Sequence, residues 1–227
     1  MAVVILLGRL LDFLYPAVRA FFPAIRHLLP IGRFQLSVID GFAPELLQIA
    51  CEATYPGAVR QAAVIYFKNT ILKFWEVDPD DAAQNAEHGD FKLSQRDRQL
   101  IMDNILEAVC VAGDNTRPQL CVAAQSIMRT EFPEKWPGLV PAIKMKLATP
   151  DGNALLGALL LLYRMSKIYE YKRSKERQPL IETMKELLPV LQHHFAQFEN
   201  NASQESVTIQ KLILKVFHSL IQVLFFF

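Results

Sequence analysis

From residue 42 onward, apolar and polar positions follow a helical period, and the alternation expected of strands is nearly absent. Residues 44–53 predict a short helix. Residues 58–75 predict a longer one with two apolar stripes, Ala63, Phe67, Ile71 and Phe74 on one line and Ala58, Ala62, Ile65 and Leu72 on the other. Two stripes imply packing on two sides, as for a helix that meets both its hairpin partner and a neighbouring repeat. Residues 76–90 predict a loop that holds Glu76, Asp78, Asp80, Asp81, Glu87 and Asp90 with no lysine or arginine. Ser94 and Asp97 then stand at capping-box spacing and open a helix to residue 112. Its apolar stripe is Ile101, Ile105, Ala108 and Ala112. Its polar stripe is Arg96, Gln99, Asp103 and Glu107, so one face is buried and the other is open.

The same reading predicts a helix over 117–130, stopped at Phe132-Pro133 and restarted after Trp136-Pro137. Asp151 is placed to cap an apolar helix over 155–168. Pro179 suits the first turn of a helix over 179–198, whose Leu180, Met184, Leu187, Leu188, Leu191, Phe195 and Phe198 keep the 3, 4, 7 spacing. Asn200, Asn201 and Ser203 break the chain before a last apolar helix from about 206 to the end. The sum is about nine helices in alternating long and short pairs, with units of roughly 35 to 55 residues against about 40–47 for HEAT repeats. The fold class expected is all-α, an α-solenoid of HEAT-type antiparallel helix pairs. The closing helix is apolar on more than one side and ends in Phe225-Phe226-Phe227. Terminal repeats need a polar outer face, so the expectation is a piece of a longer solenoid.

Residues 1–41 stand apart. They are mostly apolar, with Pro16, Pro23 and Pro30 seven apart and Arg19, Arg26 and Arg33 in step behind them. Arg9 and Asp12 interrupt the first apolar run, and nowhere is there the clean stretch of about 20 apolar residues that a membrane span needs. The segment is expected to cover the first repeat, to be a poorly ordered leader, or to lie on a membrane surface with the arginines opposite Phe21, Phe22, Leu28 and Leu29.

Composition narrows the function classes. At 52% apolar and 21% charged, the 227-residue chain suits helices buried on more than one side, and a net charge of +1 draws neither nucleic acid nor an acidic partner. Cys51, Cys110 and Cys121 form no Cys-x-x-Cys pair and fall in apolar helices, as buried reduced thiols do. No glycine-rich phosphate loop, nucleophile elbow or zinc-protease motif occurs, so no enzyme and no cofactor is expected. His193 and His194 are neighbours on a helix and point about 100° apart, which suits a surface pair better than a metal site. Arg164, Lys167, Lys172, Arg173, Lys175 and Arg177, interleaved with Tyr163, Tyr169 and Tyr171, could hold phosphates or an acidic partner. Glu170 and Glu176 dilute this cluster into a solvated turn.

A family resemblance rests on ordered blocks between residues 42 and 224. They are Leu46-Leu47-Gln48-Ile49, Val59-Arg60-Gln61-Ala62-Ala63-Val64-Ile65-Tyr66-Phe67-Lys68-Asn69 and Phe132-Pro133-Glu134-Lys135-Trp136, then Tyr169-Glu170-Tyr171-Lys172, Leu187-Leu188-Pro189-Val190-Leu191 and Ile209-Gln210-Lys211. In these the chain resembles the N-terminal HEAT repeats of the importin-β (karyopherin-β) superfamily, above all the importin-seven/importin-eight branch. The resemblance implies a receptor for nucleocytoplasmic protein import, shuttling between cytoplasm and nucleus, whose N-terminal repeats bind the small GTPase Ran in its GTP form. It implies second helices at 44–53, 94–112, 137–148 and 179–198 as the ligand-facing elements of about four to five repeats over 42–227. GTPase contacts are therefore expected from Asp103, Glu107, Gln99 and Arg96. Arg60, Tyr66, Lys68, Asn69 and Trp136 are expected to serve packing. Cargo proteins and nucleoporins are expected as partners of a longer form, with neither nucleic acid nor membrane.

Two other function classes fit the same helices. A generic HEAT scaffold would bind proteins without dependence on Ran. A peripheral membrane protein would anchor through residues 1–40.

Overall fold

A computed structural model describes residues 40–75, 93–170, 172–199, 201 and 203–225. Among these the regular elements are helical: α1 (Phe42–Cys51), α2 (Gly57–Phe74), α3 (Gln95–Val111), α4 (Arg117–Glu131), α5 (Leu139–Leu147), α6 (Gly152–Tyr169), a 3-10 turn (Ser174–Arg177), α7 (Gln178–Phe198) and α8 (Gln204–Phe225). The expectations for residues 1–39, for the acidic loop at 76–90 and for the final two phenylalanines lie outside the described residues. The chain divides into two compact units, one ending at Ile101 and the next beginning at Met102, so the division falls within α3.

In the first unit, α1 starts two residues earlier than the pattern predicts. Gly41 turns the chain with φ 84, a left-handed conformation that glycine adopts without steric cost. Pro44 then sits in the first helical turn, where its missing N–H is harmless. Phe42, Ala43, Leu46, Leu47, Ile49 and Ala50 are buried on α1; Val59, Ala62, Ala63, Val64, Phe67, Thr70 and Ile71 are buried on α2. The two helices pack together, with the Phe42 ring edge-on to Tyr66 at 5.6 Å. The first predicted stripe of α2 is buried except at half-buried Phe74. The second is not: Ala58 is exposed, Ile65 is 36% and Leu72 50% exposed, and Ala62 alone is covered. A helix of ten residues has one side to offer, and α1 takes only the first stripe.

The start of α3 is fastened to both α1 and α2. Asp97 N–H donates to Ser94 Oγ at 3.2 Å, one arm of the expected capping box, while its carboxylate turns to α1, with Oδ2 accepting from Gly41 N–H at 2.8 Å. Arg98 Nη2 donates to the Trp75 carbonyl at 2.7 Å, and its guanidinium lies 4.8 Å from the Trp75 ring.

In the second unit, α6 is the central element and packs on α4, α5 and α8. Its Ala158, Leu159, Leu161, Leu162 and Met165 have no solvent exposure. Asp151 caps it as predicted, accepting from Asn153 N–H at 3.0 Å. Where α6 crosses the end of α3, a Cβ on Gly157 would stand 2.8 Å from both Cα and Sγ of Cys110, so the backbones approach as closely as a glycine permits. Arg117 locks the same corner. Its buried guanidinium donates to the Val109 carbonyl at 3.1 Å and to Asn153 Oδ1 at 3.0 Å, supplying the α3 C-terminus with a cation. On the far side of α6, buried Glu170 accepts from Lys167 Nζ at 2.6 Å and from Ser219 Oγ of α8 at 3.3 Å.

Candidate functional site

The polar stripe of α3 exists as such: Arg96, Gln99, Asp103 and Glu107 are all exposed. The spacing of the apolar residues dictates this, because Ile101, Ile105 and Ala108 are drawn into the core and turn the intervening carboxylates outward. Glu107 is not left to solvent alone. Its carboxylate is paired with Lys146 Nζ on α5. The hydrogen bond to Glu107 raises the Lys146 pKa, and partial burial works against that rise.

A second ion pair continues the line. Lys144 Nζ lies 3.6 Å from Glu186 on α7. Lys144 and Lys146 are two positions apart on one helix, so they point about 200° apart. Lys146 therefore reaches back to α3, and Lys144 reaches forward to α7. Met145, between them, projects away from both and is 72% exposed. His194 of α7 adds a third tie through Nε2 and the Leu147 carbonyl at 2.7 Å, at the C-terminal end of α5. Within the second unit, α3, α5 and α7 thus form a row of helices cross-linked by alternating charge. Sequence reading missed this row. The signal was present in the Lys144/Lys146 spacing, but its meaning depends on knowing which acids stand on either side.

The resemblance's packing residues take mixed positions. Tyr66 holds the Phe42 ring, and Trp136 is buried at 7% exposure just before α5. Arg60 and Lys68 are half-buried and Asn69 is exposed. Arg60 Nε is shielded from solvent without a hydrogen-bond partner among the described residues.

On α1 and the turn after it, Glu45, Gln48, Ile49, Glu52, Thr54 and Tyr55 line a shallow depression. Burial raises the Tyr55 pKa, with Glu52 and then Glu45 adding to the effect. Part of the basic cluster at 164–177 is engaged locally, while Arg173 and Lys175 stay exposed. Arg164 donates to Gln125 Oε1 at 3.2 Å, Lys167 pairs with Glu170, and buried Arg177 donates to the Lys172 carbonyl at 2.6 Å. Among the described residues there is no metal-binding cluster, and no helix is long and apolar enough to cross a membrane.

Comparison with known proteins bears on this arrangement. A family model described as the importin-beta N-terminal domain matches residues 34–110. Importin-8 of Mus musculus is 40% identical over 185 residues, which takes in 81% of this chain and 18% of that protein. Two solved structures share the fold. The exportin Cse1 in its cargo-free, cytoplasmic state superposes with TM-score 0.64 at 23% identity, over 95% of this chain and 22% of that one. Lph2, a bidirectional nuclear transport receptor in S. cerevisiae, does so with TM-score 0.69 at 21% identity, over 87% of this chain and 20% of that one. The fold is therefore the all-α, HEAT-type solenoid class, and the chain spans under a fifth of the length of the importin-8 it matches. At 40% identity to importin-8 over 81% of its length, and with residues 34–110 matched by the importin-beta N-terminal domain, the chain belongs to the importin-β family.

Proposed function

We propose that this chain binds the small GTPase Ran in its GTP form and belongs to the machinery of protein import between cytoplasm and nucleus. The observation that carries the reading is the match of residues 34–110 to the importin-beta N-terminal domain, because that span takes in α1, α2 and nearly all of α3. On α3, Asp103 is the exposed acid proposed to meet a basic group of the GTPase, with Arg96 and Gln99 beside it and Glu107 exchanging its Lys146 contact for the partner. Residues 42–227 are read as about four to five HEAT repeats. Cargo and nucleoporin contacts are assigned to a longer form, and both cytoplasm and nucleus are its compartments. The chain acts by binding, not by chemistry. Exchange of cargo for Ran·GTP requires that the GTPase bind one receptor state better than the other, and the coupling is reciprocal.

The test is calorimetric titration of the purified chain with Ran·GTP and, separately, Ran·GDP. Saturable binding confined to the GTP form supports the reading. Equal binding of both forms, or none by a folded chain, replaces it with a scaffold that does not depend on Ran.

A further inference from the structure

The loop between α5 and α6 presents a hydroxyl in a setting that the packing does not explain. Ala148, Thr149, Pro150 and Asp151 are four consecutive exposed residues. Of the 13 prolines in the chain, Pro150 alone follows a serine or threonine. A proline disfavours helical backbone in the residue before it, so the helix does not run on through Thr149 and its side chain stays at the surface. An exposed hydroxyl followed by proline is the pattern that proline-directed protein kinases phosphorylate. A charge added here would also be felt. Thr149 N–H and Oγ1 both donate to the Lys146 carbonyl, at 3.3 and 2.6 Å, which places residue 149 one turn beyond Lys146 on the same side. The Lys146 ammonium is held by Glu107 of α3. Glu107 is the main cause of its raised pKa, and Asp151, two residues past Thr149, acts in the same direction.

We infer that Thr149 is a phosphorylation site and that its phosphate takes Lys146 away from Glu107. In the step, Thr149 Oγ1 bonds to the γ-phosphorus of kinase-bound ATP as the bond to ADP breaks, and the hydroxyl proton passes to the kinase's catalytic base. The product carries about −1.5 to −2 charge at pH 7, against a single charge on Glu107. Its Oγ1 can no longer donate to the Lys146 carbonyl, and a dianion at the negative end of α5 is repelled by the last carbonyls. The ammonium of Lys146, a neighbour on the same side, offers it a charge-assisted hydrogen bond. Glu107 is then released beside Asp103, four residues earlier on the exposed side of α3. That release favours GTPase capture, a consequence that rests on the Ran·GTP reading above.

The test treats the full folded chain with ATP·Mg2+ and a proline-directed kinase of the cyclin-dependent class. Tandem mass spectrometry should place one phosphate on Thr149, and Thr149→Val should take up none. Phosphorus-31 NMR then reads the Lys146 contact without any GTPase present. The phosphate should titrate at least about half a pH unit lower in the otherwise native chain than in Lys146→Ala, because the ammonium favours the dianion. At low salt the phosphorylated chain should bind Ran·GTP at least about threefold tighter than the unmodified chain, and Lys146→Ala should abolish the difference. A folded chain left unphosphorylated at Thr149 would overturn the inference, as would a phosphate whose titration ignores Lys146. Equal Ran·GTP affinity with and without the phosphate would overturn it as well. A phosphate that senses Lys146 on a chain that binds no Ran·GTP in either form would support the switch and remove the Ran reading instead.

Discussion

Asp97 Oδ2 accepts a hydrogen bond of 2.8 Å from the backbone N–H of Gly41, a residue 56 positions earlier in the chain. One carboxylate, itself only 2% exposed, thus ties the N-terminus of α1 to the first turn of α3. A carboxylate suits both ends of this contact, because helix N-termini favour negative charge. A partly buried hydrogen bond to a charged group contributes about 1.5–3 kcal/mol. Asp97→Ala should lower stability by an amount in that range in urea unfolding with the m-value unchanged. Asp97→Asn, which keeps an acceptor, should recover most of the loss.

Gly157 and Gly138 should respond oppositely to alanine. A Cβ at Gly157 would meet the backbone of Cys110 at 2.8 Å, where nothing short of a shift between α6 and α3 makes room. Overpacking of this kind costs about 1–3 kcal/mol. Gly138 has nothing within 4 Å and already holds a helical backbone, φ −72 and ψ −11. Gly138→Ala should be neutral or stabilising by up to about 1 kcal/mol. Thermal denaturation of the two variants side by side reads the difference.

The buried thiols should be silent toward alkylation in the native state. Burial pushes Cys110 and Cys121 up to about 11 from the ordinary 9.0. At pH 8 each is then thiolate at about one part in a thousand, besides being shielded. Iodoacetamide followed by mass spectrometry should label Cys51, which is half-buried, well before the other two. The same shift sets a sign for stability. The unfolded thiols ionise first, so the contribution of the protonated thiols is complete below pH 9 and declines as pH rises from 9 toward 11.

The ion pairs that link α5 to its neighbours should matter more for recognition than for stability. Lys144 and Glu186 are half or more exposed, and pairs of that kind contribute about 0.2–1 kcal/mol. Lys144→Ala and Lys146→Ala should each change unfolding free energy by less than about 1 kcal/mol. Lys146→Ala should strengthen capture of Ran·GTP at low salt by releasing Glu107, with the gain fading as ionic strength rises.

Most of the fold was legible because helices announce themselves locally. The stripe Ala63, Phe67, Ile71, the Ser94–Asp97 cap and the Asp151 cap all depend on residues a few positions apart, and each forms as read. What the sequence did not disclose is non-local. The second stripe of α2 has the periodicity of a buried face, yet burial depends on a partner that α1 does not supply. Arg117 reads as an ordinary helix-opening arginine, and only the meeting of α3 with α6 makes it a buried cap. On the candidate site, the pattern correctly placed Arg96, Gln99, Asp103 and Glu107 on the exposed side of α3. It could not show that Glu107 is already engaged by Lys146, since that pair joins residues 39 positions apart.

Recognition of the GTP-bound form of Ran is proposed to run through the exposed side of α3. Its most direct measurement is the affinity of the full chain for Ran·GTP against Ran·GDP, repeated with Asp103→Lys. Ran·GTP should bind selectively, and charge reversal at this exposed position should cost at least tenfold in affinity with the circular dichroism spectrum unchanged. Equal affinity for the two nucleotide states would contradict the Ran reading itself, and GTP-selective binding untouched by Asp103→Lys would contradict the placement of the contact on α3.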